Sequence, residues 1–246
     1  MLTRISVAIA AAAVSLAAPF AHAQEAAPGA PNLIGKDFTG WKLRNPPATH
    51  WKIAADVKLD PANNKQLVPT GDPAADAPIL VNDLKEKQHG CDIYTEKDFG
   101  DCELHVELMV PKSSNSGVYL MGRYEVQVLV SYGKGKDKPP TKSDLGGIYI
   151  THDPIAENYD PKPAGQWQTL DIVFQTPRFD AAGKKTADAK FLSVKLNGKE
   201  IQKDVDTPKP TGSEISSKEA PTGPILLQGD HGPVAFRNLR VKEMGK

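Results

Sequence analysis

The sequence predicts an all-β fold, a two-sheet antiparallel β-sandwich. Three observations carry that prediction. Apolar and polar residues alternate in short runs, proline and glycine clusters separate those runs, and long helical patterns are missing. Short alternating strands between turn signals point to a sandwich or barrel.

The N-terminal end is built differently. Arg4 is the only charge before Glu25, and Ile5 to Phe20 is apolar and rich in alanine. Ala21-His22-Ala23 then supplies a small-x-small cleavage pattern, so residues 1–23 read as a secretory signal peptide. The apolar run is short for a membrane span and carries Pro19 near its end. No cysteine follows it to take a lipid. The expectation is an exported protein, periplasmic or secreted, with no membrane contact after cleavage. Residues 24–32, QEAAPGAPN, read as a flexible leader, and 33–246 as one sandwich domain.

Removing the first 23 of 246 residues leaves 223, enough to bury a substantial core. The whole chain has 30 basic and 30 acidic side chains, and losing Arg4 leaves 29 against 30. No basic stripe is present, which argues against nucleic acid as a partner. No basic amphipathic helix suggests work at a membrane surface.

The strands can be taken in order. Cys91 and Cys102 enclose CDIYTEKDFGDC. With Glu96 and Lys97 at a hairpin turn the two cysteines would face each other, and an oxidising compartment would then favour a disulfide. In ELHVELMV, Leu104, Val106, Leu108 and Val110 form one face, and Glu103, His105 and Glu107 the other. Residues 117–130, GVYLMGRYEVQVLV, read as one strand. Val118, Leu120, Tyr124, Val126 and Val128 share one face; Tyr119, Met121, Arg123, Glu125 and Gln127 share the opposite one. Residues 166–174 place Leu170, Ile172 and Phe174 on one side. Residues 191–196 lead into Asn197-Gly198, a strong two-residue hairpin signal, and 199–203 return. Runs at 224–228 and 234–241 close the chain.

Nucleophile elbow, P-loop, H-E-x-x-H and EF-hand patterns are all absent. Three polar sets remain. Arg123, Glu125 and Gln127, with Tyr119 beyond, put a planar cation, a carboxylate, an amide and a phenol in line. That lining suits a sugar, and the carboxylate could move a proton. By pattern alone it is equally a solvated face. Gln228-Gly229-Asp230-His231-Gly232 sets a histidine and an aspartate on a tight turn, a site or an ordinary loop. Tyr149, His152 and Asp153 lead a long loop that ends at Trp167, which could stack on a sugar ring or sit in the core.

The segments FGDCELHVEL, NSGVYLMGRYEVQVLVSYG, GGIY, GQWQTLDIVFQTPRFDAAGKK and PTGPILLQGDHGPVAFRNLRV, in this order, resemble the 3-keto-disaccharide hydrolase family, also known as domain of unknown function 1080. The resemblance runs over about residues 33 to 243. It implies a concanavalin A-like jelly-roll sandwich and cleavage of 3-keto-glycosides. A 3-keto sugar has an acidic C2 proton; a base removes it, the C1 substituent leaves by β-elimination, and water adds to the enone. Glu125 or His231 is then the implied base, with Arg123 and Gln127 on hydroxyls or the enolate oxygen. Asn115 and Tyr119 match the family's NSGVY stretch, Glu107 its acidic VEF-type strand, and Gln228 and Asp230 its LQDHG-type turn, lengthened here by Gly229. Tyr149, His152 and Trp167 complete the candidate substrate-binding set from the residue reading alone, since the stretch ITHDPIAENYDPKP departs from the family's usual loop. No cofactor is required, although a divalent metal on the ketone would assist. The rival readings are a non-catalytic carbohydrate-binding module and a conventional glycoside hydrolase, which would need paired carboxylates.

Overall fold

The fold is that of a computed structural model of the chain, which describes residues 27–44, 49–72 and 77–245. Residues 1–26, the stretch read as a signal peptide together with the first three residues of the one read as a leader, lie outside the described residues. Among those described, no helix is long and apolar enough to cross a membrane.

The strands are β1 (Trp41–Leu43), β2 (Trp51–Ala54), β3 (Asp56–Leu59), β4 (Leu67–Thr70), β5 (Ile79–Asn82) and β6 (Ile93–Phe99). Next come β7 (Cys102–Met109), β8 (Asn115–Leu120), β9 (Tyr124–Leu129), β10 (Gln168–Gln175), β11 (Arg178–Phe179) and β12 (Lys185–Ala187). β13 (Ala189–Leu196), β14 (Lys199–Thr207), β15 (Gly223–Leu227) and β16 (Val234–Glu243) complete the set. A five-stranded sheet has the order β1-β6-β15-β8-β9, and a seven-stranded sheet the order β14-β13-β10-β7-β16-β5-β2. All pairings within them are antiparallel. Their inner faces share one apolar core, in which Val118, Tyr124 and Val126 meet Leu104, Ile172, Phe174 and Phe236. This is the sandwich that the alternation predicted, because period two gives each strand one apolar face to bury.

Two expectations are corrected. The first is the disulfide. Glu96 and Lys97 lie inside β6, not at a turn, and the chain crosses from one sheet to the other between β6 and β7. Cys91 precedes β6 and Cys102 opens β7, so the whole strand, about 3.3 Å per residue, separates them. A disulfide needs Cα atoms within about 7 Å. Both thiols are free and buried.

The second is the single strand at 117–130, which is the hairpin β8–β9. Arg123 N–H donates to the Leu120 carbonyl, and Met121 and Gly122 take φ of 57° and 60°. Such a turn matches the right-handed twist of the strands it joins. The apolar alternation continues through it because the register pairs even with even and odd with odd: Val118 with Val126, Tyr119 with Glu125, Gly117 with Gln127. Apart from Met121, which joins the apolar core, the faces fall as predicted, although one strand becomes two. The Asn197-Gly198 hairpin forms where predicted, with φ of 50° and 81°.

Candidate active site

At one end of the five-stranded sheet the outer face carries a row that spans β8 and β9 and continues through the residues just beyond β15, β6 and β1. Gly117 pairs with Gln127, and Gln228 N–H donates to the Gly117 carbonyl. Leu227 pairs with Ile93, which sets Gln228 beside Asp92, and Arg44 N–H donates to the Asp92 carbonyl. The row thus reads Arg44, Asp92, Gln228, Gly117, Gln127. The row beside it holds Lys42, Tyr94, Leu226, Tyr119 and Glu125.

Glu125 sits where the rows meet. It is 2% exposed, and its Oε2 accepts a 2.8 Å hydrogen bond from the Tyr119 hydroxyl. Its other oxygen fills the space left by the missing side chain of Gly117: a Cβ there would lie 2.3 Å from Oε1. Burial pushes its carboxyl up to about 7. The Tyr119 bond and His231 pull it back, while Asp92 and Asp230 push it further up. A carboxyl poised near neutrality in a dry setting can take up and release a proton in turnover.

Two buried acceptors on this side of the sheet have no hydrogen-bond partner among the described residues, Gln228 Oε1 and Asn115 Oδ1. Alternation along β8 puts Asn115 on the same face as Gly117 and Tyr119. Buried acceptors without donors suit a ligand that brings hydroxyl groups.

At the rim the Gly229–Gly232 turn presents Asp230 and His231, both exposed. His231 Nδ1 is in hydrogen-bond contact with Asp230 Oδ1. The turn is held from below. Asn82 of β5 donates Nδ2–H bonds of 2.8 Å to the carbonyls of both Gly229 and Gly232. Gly229 N–H donates to Asp92 Oδ1 at 3.0 Å, and Ser114 Oγ to the Pro233 carbonyl. Gly229 must be glycine, since a Cβ would lie 2.3 Å from the Cys91 carbonyl oxygen. Burial raises the Asp92 carboxyl, offset in part by Gly229 N–H and Arg44. A cavity of about 150 Å³ opens between Arg44, Gly90, Cys91, Asp92, Ser213 and Asp230.

A strap, residues 208–222, lies over the second row. Arg44 binds the carbonyls of Ser213 at 2.6 Å and Glu214 at 3.0 Å. At the opposite edge Thr211 Oγ1 accepts from Glu125 N–H at 2.9 Å, and Ile215 N–H donates to Gly122. Arg123 donates Nε to the Lys218 carbonyl at 3.0 Å and Nη1 to Met121 at 2.8 Å. Its guanidinium thus ties the strap to the hairpin turn.

The structure gathers Asn115, Tyr119, Arg123, Glu125, Gln127, Gln228, Asp230 and His231 at one sheet face. Tyr149 adjoins them, its N–H bonded to the Glu125 carbonyl at 3.1 Å. His152 pairs instead with Gln202 of β14, 2.7 Å away. Glu107 and Trp167 are not part of this group. β7 belongs to the seven-stranded sheet, and Glu107 stands on its outer face, bound by Arg237. Trp167 stacks under that same arginine, 4.1 Å from the guanidinium carbon. Among the described residues no three His, Cys, Asp or Glu side chains converge to hold a metal ion, so the donor set does not fit the divalent ion considered from sequence. Sequence reasoning missed Arg44, Asn82, Asp92 and Thr211. Each stands on a separate segment, and no local spacing connects them.

A family profile described as the 3-keto-alpha-glucoside-1,2-lyase-like domain matches residues 29–242. A solved structure from Parabacteroides distasonis, provisionally described as a glycosyl hydrolase, is 28% identical with a TM-score of 0.61, over 85% of this chain and 81% of that one. A second from the same organism, described in the same way, is 16% identical with a TM-score of 0.55, over 86% of this chain and 92% of that one; it shows the shared fold. No functionally curated protein matches the chain.

Proposed function

We propose that this chain, which belongs to the 3-keto-alpha-glucoside-1,2-lyase-like domain family, cleaves the glycosidic bond of 3-keto-glycosides, with Glu125 as the base that removes the C2 proton. The family and the similarity to a glycosyl hydrolase-like protein support a carbohydrate-processing hydrolase or lyase. The observation that carries the finer reading is the buried carboxyl of Glu125, raised to about 7 on a sheet face that also holds two unpartnered acceptors.

The ionised carboxylate takes the C2 proton, and the C2–H electron pair forms the C1–C2 double bond. The C1–O bond breaks, and its electrons leave with the aglycone oxygen. The acidity of C2 comes from the C3 carbonyl, which spreads the developing charge. His231 protonates the leaving oxygen, and Asp230 orients its imidazole through Nδ1. Water then adds at C1 of the enone and gives its proton to the neutral His231, while protonated Glu125 returns its proton to C2, which restores both groups. Gln228 and Asn115 accept hydrogen bonds from ring hydroxyls, and Gln127 extends that row. Arg123 acts through the strap, whose carbonyl its guanidinium holds.

The test compares aglycone release from a glycoside chemically oxidised at C3 with release from its unoxidised parent. Release from the oxidised compound alone is expected. Inactivity on both would sink the reading. Binding of either by calorimetry without product would replace it with a binding module.

A further inference from the structure

A larger cavity begins at His231. It encloses about 300 Å³ and is lined from four short stretches, 63–66, 84–88, 112–113 and 230–233. These stretches are tied together. Lys112 N–H donates to the Asn64 carbonyl at 2.8 Å, and Ser114 Oγ donates to the Pro233 carbonyl. Lys85 N–H donates to Gln88 Oε1 at 2.8 Å, and Gln88 N–H returns a bond to the Lys85 carbonyl at 3.1 Å. His231 stands between two spaces. Its charge acts on the Glu125 carboxyl, and it lines this cavity, which Glu125 does not reach.

The charges around it do not cancel. Lys65, Lys85, Lys87 and Lys112 line the cavity together with Glu86 and Asp230. Asp230 is engaged by His231. Lys85 is engaged by Asp83, which also takes Lys52 at 2.6 Å, so two ammonium groups share one carboxylate there. The ammonium groups of Lys65, Lys87 and Lys112 make no hydrogen bond or ion pair among the described residues, and of the lining carboxylates only Glu86 is left to offset them. The whole chain has 30 basic and 30 acidic side chains, so the surplus is local. A concave surface lined by one sign of charge concentrates ligands of the other.

Lysines alone are ordinary on a solvated surface. A second observation sets this cavity apart. Gln66 lines it, and Gln66 Oε1 is buried with no donor among the described residues. A buried acceptor calls for a donor. A simple anion answers the lysines but brings no hydroxyl to Gln66. A neutral sugar answers Gln66 but leaves the charge surplus unmet. A sugar acid answers both, and the volume is at the small end of ligand pockets, enough for one such unit. In the reaction proposed above His231 protonates the leaving oxygen, so the space it lines on this side is where the leaving group lies. Resting on that reading, we infer that this cavity is the aglycone subsite and that it selects an aglycone carrying a carboxylate together with hydroxyl groups.

The test compares maltobionate with maltitol, which carry the same glucosyl group on the same aglycone oxygen and differ in a carboxylate against a hydroxymethyl group. In nitrogen-15 NMR titrations of the full chain, maltobionate is expected to bind about fivefold more tightly at low salt, with saturable shifts at the amides of Lys87, Ser113 and Gly232. The preference should fall toward one in about 0.5 M sodium chloride, which screens exposed charges. It should fall likewise in the double variant Lys87→Gln, Lys112→Gln, which changes two exposed side chains and keeps the fold. Acetate, an anion without hydroxyls, should give no saturable shift. Equal affinity for the two sugars, shifts that avoid these residues, a preference retained in the double variant, or saturation by acetate would each overturn the subsite. The reaction is judged apart from it, by aglycone release from the same two sugars oxidised at C3. Inactivity on both would retire the reaction, while the binding preference still decides whether the cavity takes a sugar acid.

Discussion

In the proposed reaction Glu125 concentrates the chemistry in one side chain, and its environment makes opposite demands on activity and stability. Activity needs the carboxylate, so kcat/KM should fall as pH drops below about 7, with a slope of one decade per pH unit. Glu125→Gln keeps an acceptor for the Tyr119 hydroxyl but cannot take a proton. Its turnover should drop by about a hundredfold or more, measured as aglycone release. Stability follows the other sign. The folded carboxyl is raised above its ordinary 4.5 to about 7, so the folded state binds the proton more tightly. The contribution is fully present below 4.5 and is lost as pH rises to about 7. Glu125→Gln should therefore be more stable than the parent above pH 7, by at most about 3 kcal/mol, in chemical denaturation. Equal stability at pH 8 would mean that the carboxylate is better solvated than its burial implies. The sequence brought Glu125 to notice through its position on a polar face, but nothing local told a solvated carboxylate from a buried one. That distinction depends on Gly117, eight residues away, and on a strap almost a hundred residues away.

The hairpin β8–β9 and the glycine turn are the elements that set the geometry. Gly117→Ala would put a methyl group 2.3 Å from Glu125 Oε1 and 2.9 Å from the Tyr119 ring. Cross-strand partners on this face cannot both be kept, so the carboxylate must swing away. Activity should fall by about tenfold or more while circular dichroism still reports a β fold. Asn82→Asp is the matching test of the turn. It preserves shape but removes both donations, to Gly229 and Gly232, and sets a carboxylate against two carbonyls. Leaving those groups unpaired costs about 1–3 kcal/mol each, so the turn should loosen and the melting temperature drop. Turnover should fall further than binding, because Asp230 and His231 lose their placement rather than their identity. Unchanged turnover in Asn82→Asp would remove His231 from the proton path. Strand faces were legible in the sequence because parity survives the β8–β9 turn. The turn itself was not, since Met121-Gly122 lacks the usual Asn-Gly or Asp-Gly signal.

Across the whole molecule, the crossing between β6 and β7 decides both the fate of the cysteines and the division of the polar residues. Denatured without reductant, the chain should take two alkyl groups, and the native chain should resist alkylation because both thiols are buried. Burial also pushes the Cys102 thiol up to about 12, which removes its reactive thiolate. Mass spectrometry reads both outcomes; one alkyl-resistant pair after denaturation would restore the disulfide. The same crossing puts Glu107 and Glu125 on opposite outer faces, although both stand on strands with equally clear polar faces. The sequence by itself determined the all-β class, the apolar face of each strand and the Asn197-Gly198 hairpin. These depend on period-two alternation and local turn chemistry, which neighbouring residues dictate. Only the tertiary structure decided which polar faces share a sheet, why Glu125 is dry, and that Arg44, Asn82 and Asp92 join it. The reason is physical: alternation says that a side chain leaves the core, while strand order alone says what it meets there.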